Sequence, residues 1–341
     1  MERKPTVYVT RDLSDLAIDG LRERCDVHAW EDELPPSHEH ISNRLEELEA
    51  DALLCMLPDV VDADVLDASP ELEVVSTLSV GYDHIDVDAA LERGIAVGHT
   101  PGVLSETTAD LAWSLLMACA RRTLEAQAYV SDDRWRAWGP TVLTGQDVHD
   151  ATLGVVGLGK IGTAVARRGA GFNMDLLYSH TSPQPETEAR LAEAGIDATY
   201  VDLEELLERS DFVSLNVPLY EETIGLIGED ELSLMSEDAI LINTSRGEIV
   251  DTDALDTALE NDWIYRAGLD VTDPEPLPGD HDLLRHVPEK LVVTPHIGSA
   301  SIPTRKLMSR MASDNILAVL EGNEPPHSAL IDAGLRPIPS P

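Results

Sequence analysis

At 341 residues the chain exceeds one average domain and suits two, and a hydrophobic content of 43% supports a packed core in each. Its 64 acidic residues against 24 basic ones leave a net charge of −40, which argues against nucleic acid as a partner because the phosphates would be repelled. The longest apolar runs (Leu111–Ala120, Ala239–Ile242 and Leu291–Val293) fall far short of the ~20 residues of a membrane-spanning helix, so no membrane association is expected.

The N-terminus runs straight into a strand over Thr6–Thr10 with no leader ahead of it, and a cytoplasmic location is expected. Ser14–Arg24 follows as a helix with Leu16 and Leu21 inward, then a helix over His40–Glu49 and a strand over Ala52–Met56. Strands Val74–Leu78 and Ile95–Gly98 complete a small parallel sheet. Pro101-Gly102 breaks the pattern, and Ser105–Arg122, capped by Ser105 or Thr107, predicts a long helix. A loop rich in tryptophan (Trp135, Trp138) leads to a second run of alternation from Thr152. It holds helix Leu203–Glu208, strands Phe212–Asn216 and Ala239–Asn243, helix Asp253–Glu260, and strands Ala267–Asp270 and Leu291–Thr294. A last long helix, about Pro303–Leu320, leads into a tail with Pro325-Pro326, Pro337 and Pro339. Cys25, Cys55 and Cys119 lie in apolar contexts without ligand spacing, so they are expected reduced, buried and free of metal.

The sharpest signal opens the second run. A short apolar strand from Thr152 leads into a Gly-x-Gly-x-x-Gly turn at Gly157, Gly159 and Gly162, a helix begins at once, and a second apolar strand follows. Glycines so placed allow a tight turn, backbone approach to a pyrophosphate, and close packing of helix on strand. The helix N-terminus offers free N–H groups and a positive dipole end to phosphates. Between a strand and a helix, the motif reads as dinucleotide binding.

Three later segments place chemistry at strand ends, where doubly wound sheets bind ligands. Arg246 follows a buried strand, and its planar, always-charged fork suits a carboxylate, although a lone arginine there is commonly a surface ion pair. Asp270 and Glu275 lie at and just after another strand end, in a Pro-rich stretch where carboxylates are by default merely solvated. His296 ends the last strand before Gly298. Together an anchoring cation, a histidine and a glutamate in a nucleotide-binding sheet make a hydride-transfer set. The histidine exchanges the hydroxyl proton, Glu275 favours its charged form, and the cofactor carries the redox step.

The chain resembles the D-isomer-specific 2-hydroxyacid dehydrogenases, in their glyoxylate/hydroxypyruvate reductase branch, over essentially its whole length. The matching stretches are Ser79–Asp86, Thr107–Ala112, Gly157–Gly162, Val217–Leu219, Asn243–Gly247, Asp270–Leu277 and Thr294–Ala300. The resemblance implies an α/β fold of two doubly wound, parallel-sheet, Rossmann-like domains joined by two long hinge helices, with the active site in their cleft. Residues 1–103 plus 298–341 would form the substrate domain and 104–297 the dinucleotide domain, with a dimerisation loop at about 123–150. Arg246 would grip the carboxylate and keto oxygen of the substrate, with His296 as acid/base oriented by Glu275, and the Val80 and Gly81 amides would hold the carboxylate. Asp270 would reach the nicotinamide amide, and Thr108 and Pro218 would line the cofactor cleft. Lys160, Ile161, Ser179, His180, Thr181, Val217, Thr223, Thr244, Ser245 and Gly298 would complete the cofactor site, to which Arg246 and His296 also belong.

Two positions depart from the relatives. No acid stands at the end of the second strand (Asp175 begins it), and Thr181 stands where NADP-preferring members carry arginine, so NADPH is expected to be favoured with NADH also accepted. Val142 stands where close relatives place a tryptophan, which hints at room for a larger 2-keto acid. The activity expected is reduction of a small 2-keto acid (glyoxylate, hydroxypyruvate or pyruvate-like) by a homodimer. A phosphoglycerate dehydrogenase-type enzyme and a nucleotide-sensing, corepressor-like binding protein are the alternatives. The dispersed acids and only four lysines (4, 160, 290 and 306) resemble the composition of halophilic proteins, in which salt screens self-repulsion.

Overall fold

Strand and helix alternate through two stretches, and each stretch builds its own parallel sheet. In the computed structural model, which describes residues 3–13, 16 and 18–334, the two sheets belong to two compact units. One unit combines described residues before Ser105 with those from Ala300 onward, and the other is Ser105–Ser299. Among the described residues no helix is long and apolar enough to cross a membrane.

The first sheet holds β1 (Thr6–Val9), β2 (Asp26–Ala29), β3 (Ala52–Cys55), β4 (Val74–Thr77) and β5 (Ala96–Gly98), in the order β2-β1-β3-β4-β5 with every pair parallel. β1, β3 and β4 are buried along their whole length, and β3 reads as a continuous apolar run while Val74-Val75 open β4. β2 gave no such signal: it is a part-exposed edge strand of sequence Asp-Val-His-Ala. The helix expected over Ser14–Arg24 is observed over Asp19–Arg24 with Leu21 fully buried; Ser14, Asp15 and Ala17 lie outside the described residues. Two short helices, Ala63–Leu66 and Val87–Glu92, were not anticipated, and each starts on an aspartate cap, Asp62 and Asp86.

Helix Ile302–Leu320 packs on β4 and β5 and completes this unit. Its fully buried Asn315 donates from Nδ2 to the His99 carbonyl (3.0 Å) and accepts at Oδ1 from the His327 amide (3.0 Å). A Cβ on Gly98 would lie 2.6 Å from the Asn315 Cβ, so β5 ends in glycine because the helix passes against it. Ser328 then bridges Gly98 and caps a short helix, Ala329–Asp332. Pro337 and Pro339 of the expected tail lie outside the described residues.

The second sheet holds β6 (Thr152–Val156), β7 (Asp175–Ser179), β8 (Ala198–Tyr200), β9 (Phe212–Leu215), β10 (Ile240–Asn243), β11 (Arg266–Leu269) and β12 (Leu291–Val293). Its order, β12-β11-β10-β9-β6-β7-β8, is the doubly wound dinucleotide-binding order with β12 added at one edge. The sequence reading lacked the short edge strand β8 and helices Pro185–Glu193 and Glu229–Leu234.

Helix Ser105–Ala120 packs on β10, β11 and helix Lys160–Gly169, where the Trp113 indole donates to the Val165 carbonyl (2.9 Å) and stacks on Phe172. It starts at Ser105, which puts both Ser105 and Thr107 inside the helix and neither at its cap. Arg122, at a left-handed φ of 54°, turns the chain into helix Thr123–Ser131, in a segment read as loop. That helix is anchored by buried Glu125, which accepts two bonds from Arg122 (2.9 and 2.7 Å) and one from buried Arg266 (3.2 Å).

Asn315 ties a helix to a strand end more than 200 positions away in sequence. Replacing it with alanine leaves two backbone groups without partners, at about 1–3 kcal/mol for each that stays buried. The melting temperature of Asn315→Ala should fall by at least about 2 °C at fixed salt; a wild-type value would show that both groups find other partners.

Candidate active site

β6 and β9 are neighbours at the point where the strand order reverses, and the Gly-x-Gly-x-x-Gly turn leaves the carboxyl end of β6 there. The three glycines answer to three different constraints. Gly157 sits at a φ of 90°, and a Cβ on it would come within 2.9 Å of Asn216 and Val217 at the end of β9. A Cβ on Gly162 would lie 2.0 Å from the Gly157 carbonyl oxygen, so the helix could not sit this close to the strand. At Gly159 a Cβ would meet no protein atom, and no side chain caps the helix that starts at Lys160. Nothing in the fold requires glycine there; a phosphate approaching the backbone does, so this turn fits a dinucleotide pyrophosphate.

The remaining strand ends surround that turn. β7 ends at Ser179, whose carbonyl accepts the Gly157 amide (2.8 Å), and the Tyr200 hydroxyl donates to the His180 carbonyl (3.3 Å). Ser179 and His180 are half-buried and Thr181 is exposed, with no carboxylate from 179 to 185. After β9, Thr223 Oγ1 donates to the Pro218 carbonyl and accepts the Tyr220 amide (both 2.8 Å), bracing the Val217–Pro218 segment.

Beyond β10, β11 and β12 the side chains converge. Asn243, buried at the end of β10, donates to the Arg246 carbonyl (2.8 Å) and accepts from the Ser245 amide and hydroxyl (3.0 and 2.8 Å), which shapes the turn carrying Arg246. Thr244 Oγ1 is buried in the same turn. A Cβ on Gly247 would meet Thr272 at 2.1 Å, so this turn lies directly against the one after β11.

Asp270, 1% exposed, is the point of convergence. Its carboxylate accepts the Thr294 hydroxyl (2.6 Å) and the Ile297 and Gly298 amides (2.8 and 2.7 Å), and its carbonyl accepts the His296 amide (2.8 Å). Burial pushes its pKa above the ordinary value against the pull of those bonds. Gly298 also faces Thr108: a Cβ there would lie 3.1 Å from Asp270 Oδ2 and 3.4 Å from the Thr108 methyl.

His296, held at a left-handed φ of 52°, meets Glu275 Oε1 through Nδ1 at 2.6 Å. Burial disfavours the Glu275 carboxylate, but the His296 hydrogen bond and charge, the Thr272 amide and the Arg246 charge outweigh it and hold its pKa below the ordinary value. The structure thus brings Arg246, Asp270, Glu275 and His296 together in one unit. Val80 and Gly81 belong to the other unit, in the turn after β4, where Thr100 donates twice to the Ser79 carbonyl and Ser79 Oγ donates to the Gly81 carbonyl (2.6 Å).

Asn243 and Thr294, which orient Arg246 and Asp270, escaped the sequence reading although both lay inside quoted motifs. Their one sequence signal was a polar residue closing an otherwise apolar strand.

A doubly wound sheet, a glycine cradle at its switch point and a histidine–glutamate pair on neighbouring strand ends define a nicotinamide-dependent oxidoreductase. Comparison with known proteins narrows the class. Residues 113–298 match the NAD-binding domain of the D-isomer specific 2-hydroxyacid dehydrogenases. A glyoxylate reductase of Korarchaeum cryptofilum is 48% identical, with 95% of each chain covered. A crystal structure of a Thermus thermophilus protein is 45% identical with a TM-score of 0.87, covering 95% of this chain and 99% of that one. An NADPH-dependent glyoxylate/hydroxypyruvate reductase from Sinorhizobium meliloti, solved with NADP and malonate, is 30% identical with a TM-score of 0.82, covering 96% and 97%. The chain belongs to the D-isomer specific 2-hydroxyacid dehydrogenase family and acts as an NAD(P)-dependent oxidoreductase on 2-hydroxy acids.

Proposed function

We propose that the protein reduces a small 2-keto acid of the glyoxylate, hydroxypyruvate or pyruvate kind to the D-2-hydroxy acid. The observation that carries this reading is the 2.6 Å pair of His296 Nδ1 and Glu275 Oε1 at the strand ends beside the glycine cradle. The glyoxylate reductases similar to this chain support the substrate class. The bound nicotinamide supplies the hydride. With Nδ1 engaged by Glu275, Nε2 of His296 is the atom left to give its proton to the keto oxygen as the hydride reaches the carbon. Arg246 grips the carboxylate and polarises the keto group, and the turn at Val80 and Gly81 is read separately as a carboxylate seat of the other unit. Asp270 holds the His296 backbone in place and would hold the nicotinamide amide of a bound cofactor.

His296→Ala should lose about 10²–10⁴-fold in kcat and still bind cofactor. Against burial, the His296 hydrogen bond and charge hold the Glu275 pKa below its ordinary value, and Glu275→Gln removes that coupled carboxylate from the proton donor. Reduction needs the His296 proton, so the alkaline fall-off in rate should begin at lower pH in this variant. A His296→Ala enzyme of normal kcat, or an unmoved profile in Glu275→Gln, would remove the pair from the mechanism.

On the cofactor, the proposal is that NADPH serves at least as well as NADH. No acid at the end of β7 repels a 2′-phosphate, and Ser179, Thr181 and Ser182 can donate to it, with His180 adding charge when protonated. A few such bonds amount to about 1–2 kcal/mol, or about tenfold in affinity. Measuring KM for both cofactors in wild type and His180→Asp checks this: the substitution should favour NADH, and an unchanged ratio would show that this strand end does not read the phosphate.

The same reading makes the protein a homodimer at high salt, with no nucleic-acid partner. Leu124, Val130, Trp135, Trp138 and Val142 are exposed within residues 123–150, and Trp138 is 84% exposed, an apolar surface that a second copy would cover. Self-repulsion at a net charge of −40 is screened only by concentrated salt. Melting temperature should therefore rise between about 0.1 and about 2 M KCl, and a flat response would contradict the halophilic reading.

A further inference from the structure

His99 is buried at 3% exposure, and nothing in the chemistry above uses it. Its ring closes a chain of contacts onto the turn after β4. Nδ1 lies 2.9 Å from the Val80 carbonyl oxygen and Nε2 lies 3.0 Å from Asp332 Oδ2. A carbonyl and a carboxylate only accept, so the ring bridges the two when both of its nitrogens carry hydrogen. The Tyr82 ring meets it edge-on at 5.3 Å, and the backbone of His99 is fixed by the His327 carbonyl and by Asn315. Helix Ala329–Asp332, capped by Ser328, delivers the carboxylate.

The consequence for the turn follows from the planarity of the peptide bond. In a trans peptide the C=O of one residue and the N–H of the next point in opposite directions within one plane. Anchoring the Ser79 carbonyl through the Thr100 amide (2.8 Å) and hydroxyl (2.9 Å) fixes the direction of the Val80 N–H. Anchoring the Val80 carbonyl through His99 fixes the Gly81 N–H. Among the described residues neither N–H is spent on another group of the chain. Two clamped carbonyls hold two unspent amides in fixed directions, as a small preorganised anion seat requires.

We propose that His99, held by Asp332, is a positioning residue for substrate. By gripping the Val80 carbonyl it aims the Gly81 amide at the carboxylate of the 2-keto acid. The proposal rests on the reading of the Val80–Gly81 turn as the carboxylate seat, and it assigns His99 no contact with substrate.

Steady-state kinetics with glyoxylate and saturating NADPH, together with calorimetric titration of oxalate into the cofactor complex, test it. His99→Ala should raise KM for glyoxylate and weaken oxalate by about tenfold or more, while kcat stays within a few-fold and the KM for NADPH does not move. His99→Gln, which keeps a side-chain donor, should recover part of the loss. Asp332→Asn leaves the histidine in place and removes its carboxylate partner; it should show the same KM-selective defect, smaller in size, and it carries the test if His99→Ala does not fold. Unchanged glyoxylate KM and oxalate affinity in His99→Ala and Asp332→Asn, or a loss confined to kcat, overturns the proposal. If wild type fails to reduce glyoxylate, hydroxypyruvate and pyruvate alike, the functional reading itself falls; oxalate binding that still depends on His99 would separate that failure from this one.

Discussion

The carboxylate of Asp270 is the constraint around which the second unit's chemistry is arranged. A buried carboxylate is tolerated only when its oxygens are satisfied, and Asp270 is satisfied by the strand end and turn that carry His296. Its amide donates to Asn243 on β10 (2.9 Å), and its carbonyl takes the His296 amide. One residue therefore locks the ends of three neighbouring strands in mutual register. It also makes tolerable a left-handed backbone at His296, a conformation worth about 1–3 kcal/mol of strain that persists only where the surroundings over-determine it.

That lock gives the histidine–glutamate pair its geometry. Glu275 lies on the same turn as Asp270, three residues beyond the Thr272 amide that supports it, so the two acids divide the work. One is sealed among the strand ends that it ties together, the other part-exposed and paired with a ring that can exchange protons. Environment alone separates them, since both are carboxylates on one short segment.

Much of this was legible in the sequence. β6, β9 and β10 are buried, largely apolar strands and announce themselves as such, and the glycine turn carries its own geometric requirements. The edge strands β2 and β8 were not legible, because an edge strand with part-exposed side chains has neither a continuous nor an alternating pattern. Helix Thr123–Ser131 was hidden for a different reason. It owes its place to a buried ion pair between Glu125 and Arg266, 141 positions apart, and propensity carries no trace of a partner that distant. The site residues were readable as types at strand ends, and so was the pairing of Glu275 with His296; the residues that hold Arg246 and Asp270 in place were not. Asp270 and Thr294 meet across 24 positions, and His99 and Asp332 across 233.

The return of helix Ile302–Leu320 to β4 and β5 also sets an order of assembly. Residues 105–299 form a contiguous unit that can close as soon as it is synthesised, whereas the sheet that precedes it waits for a helix made only afterwards. Closing so long a loop adds little thermodynamic penalty, because loop entropy grows only logarithmically with length, but it delays the contact in time. Until that helix arrives, the growing chain carries a sheet whose β4–β5 face lacks its cover, the kind of surface through which nascent proteins associate. Residues 1–104 already carry 24 acidic against 7 basic residues, so half-made chains repel one another during that interval.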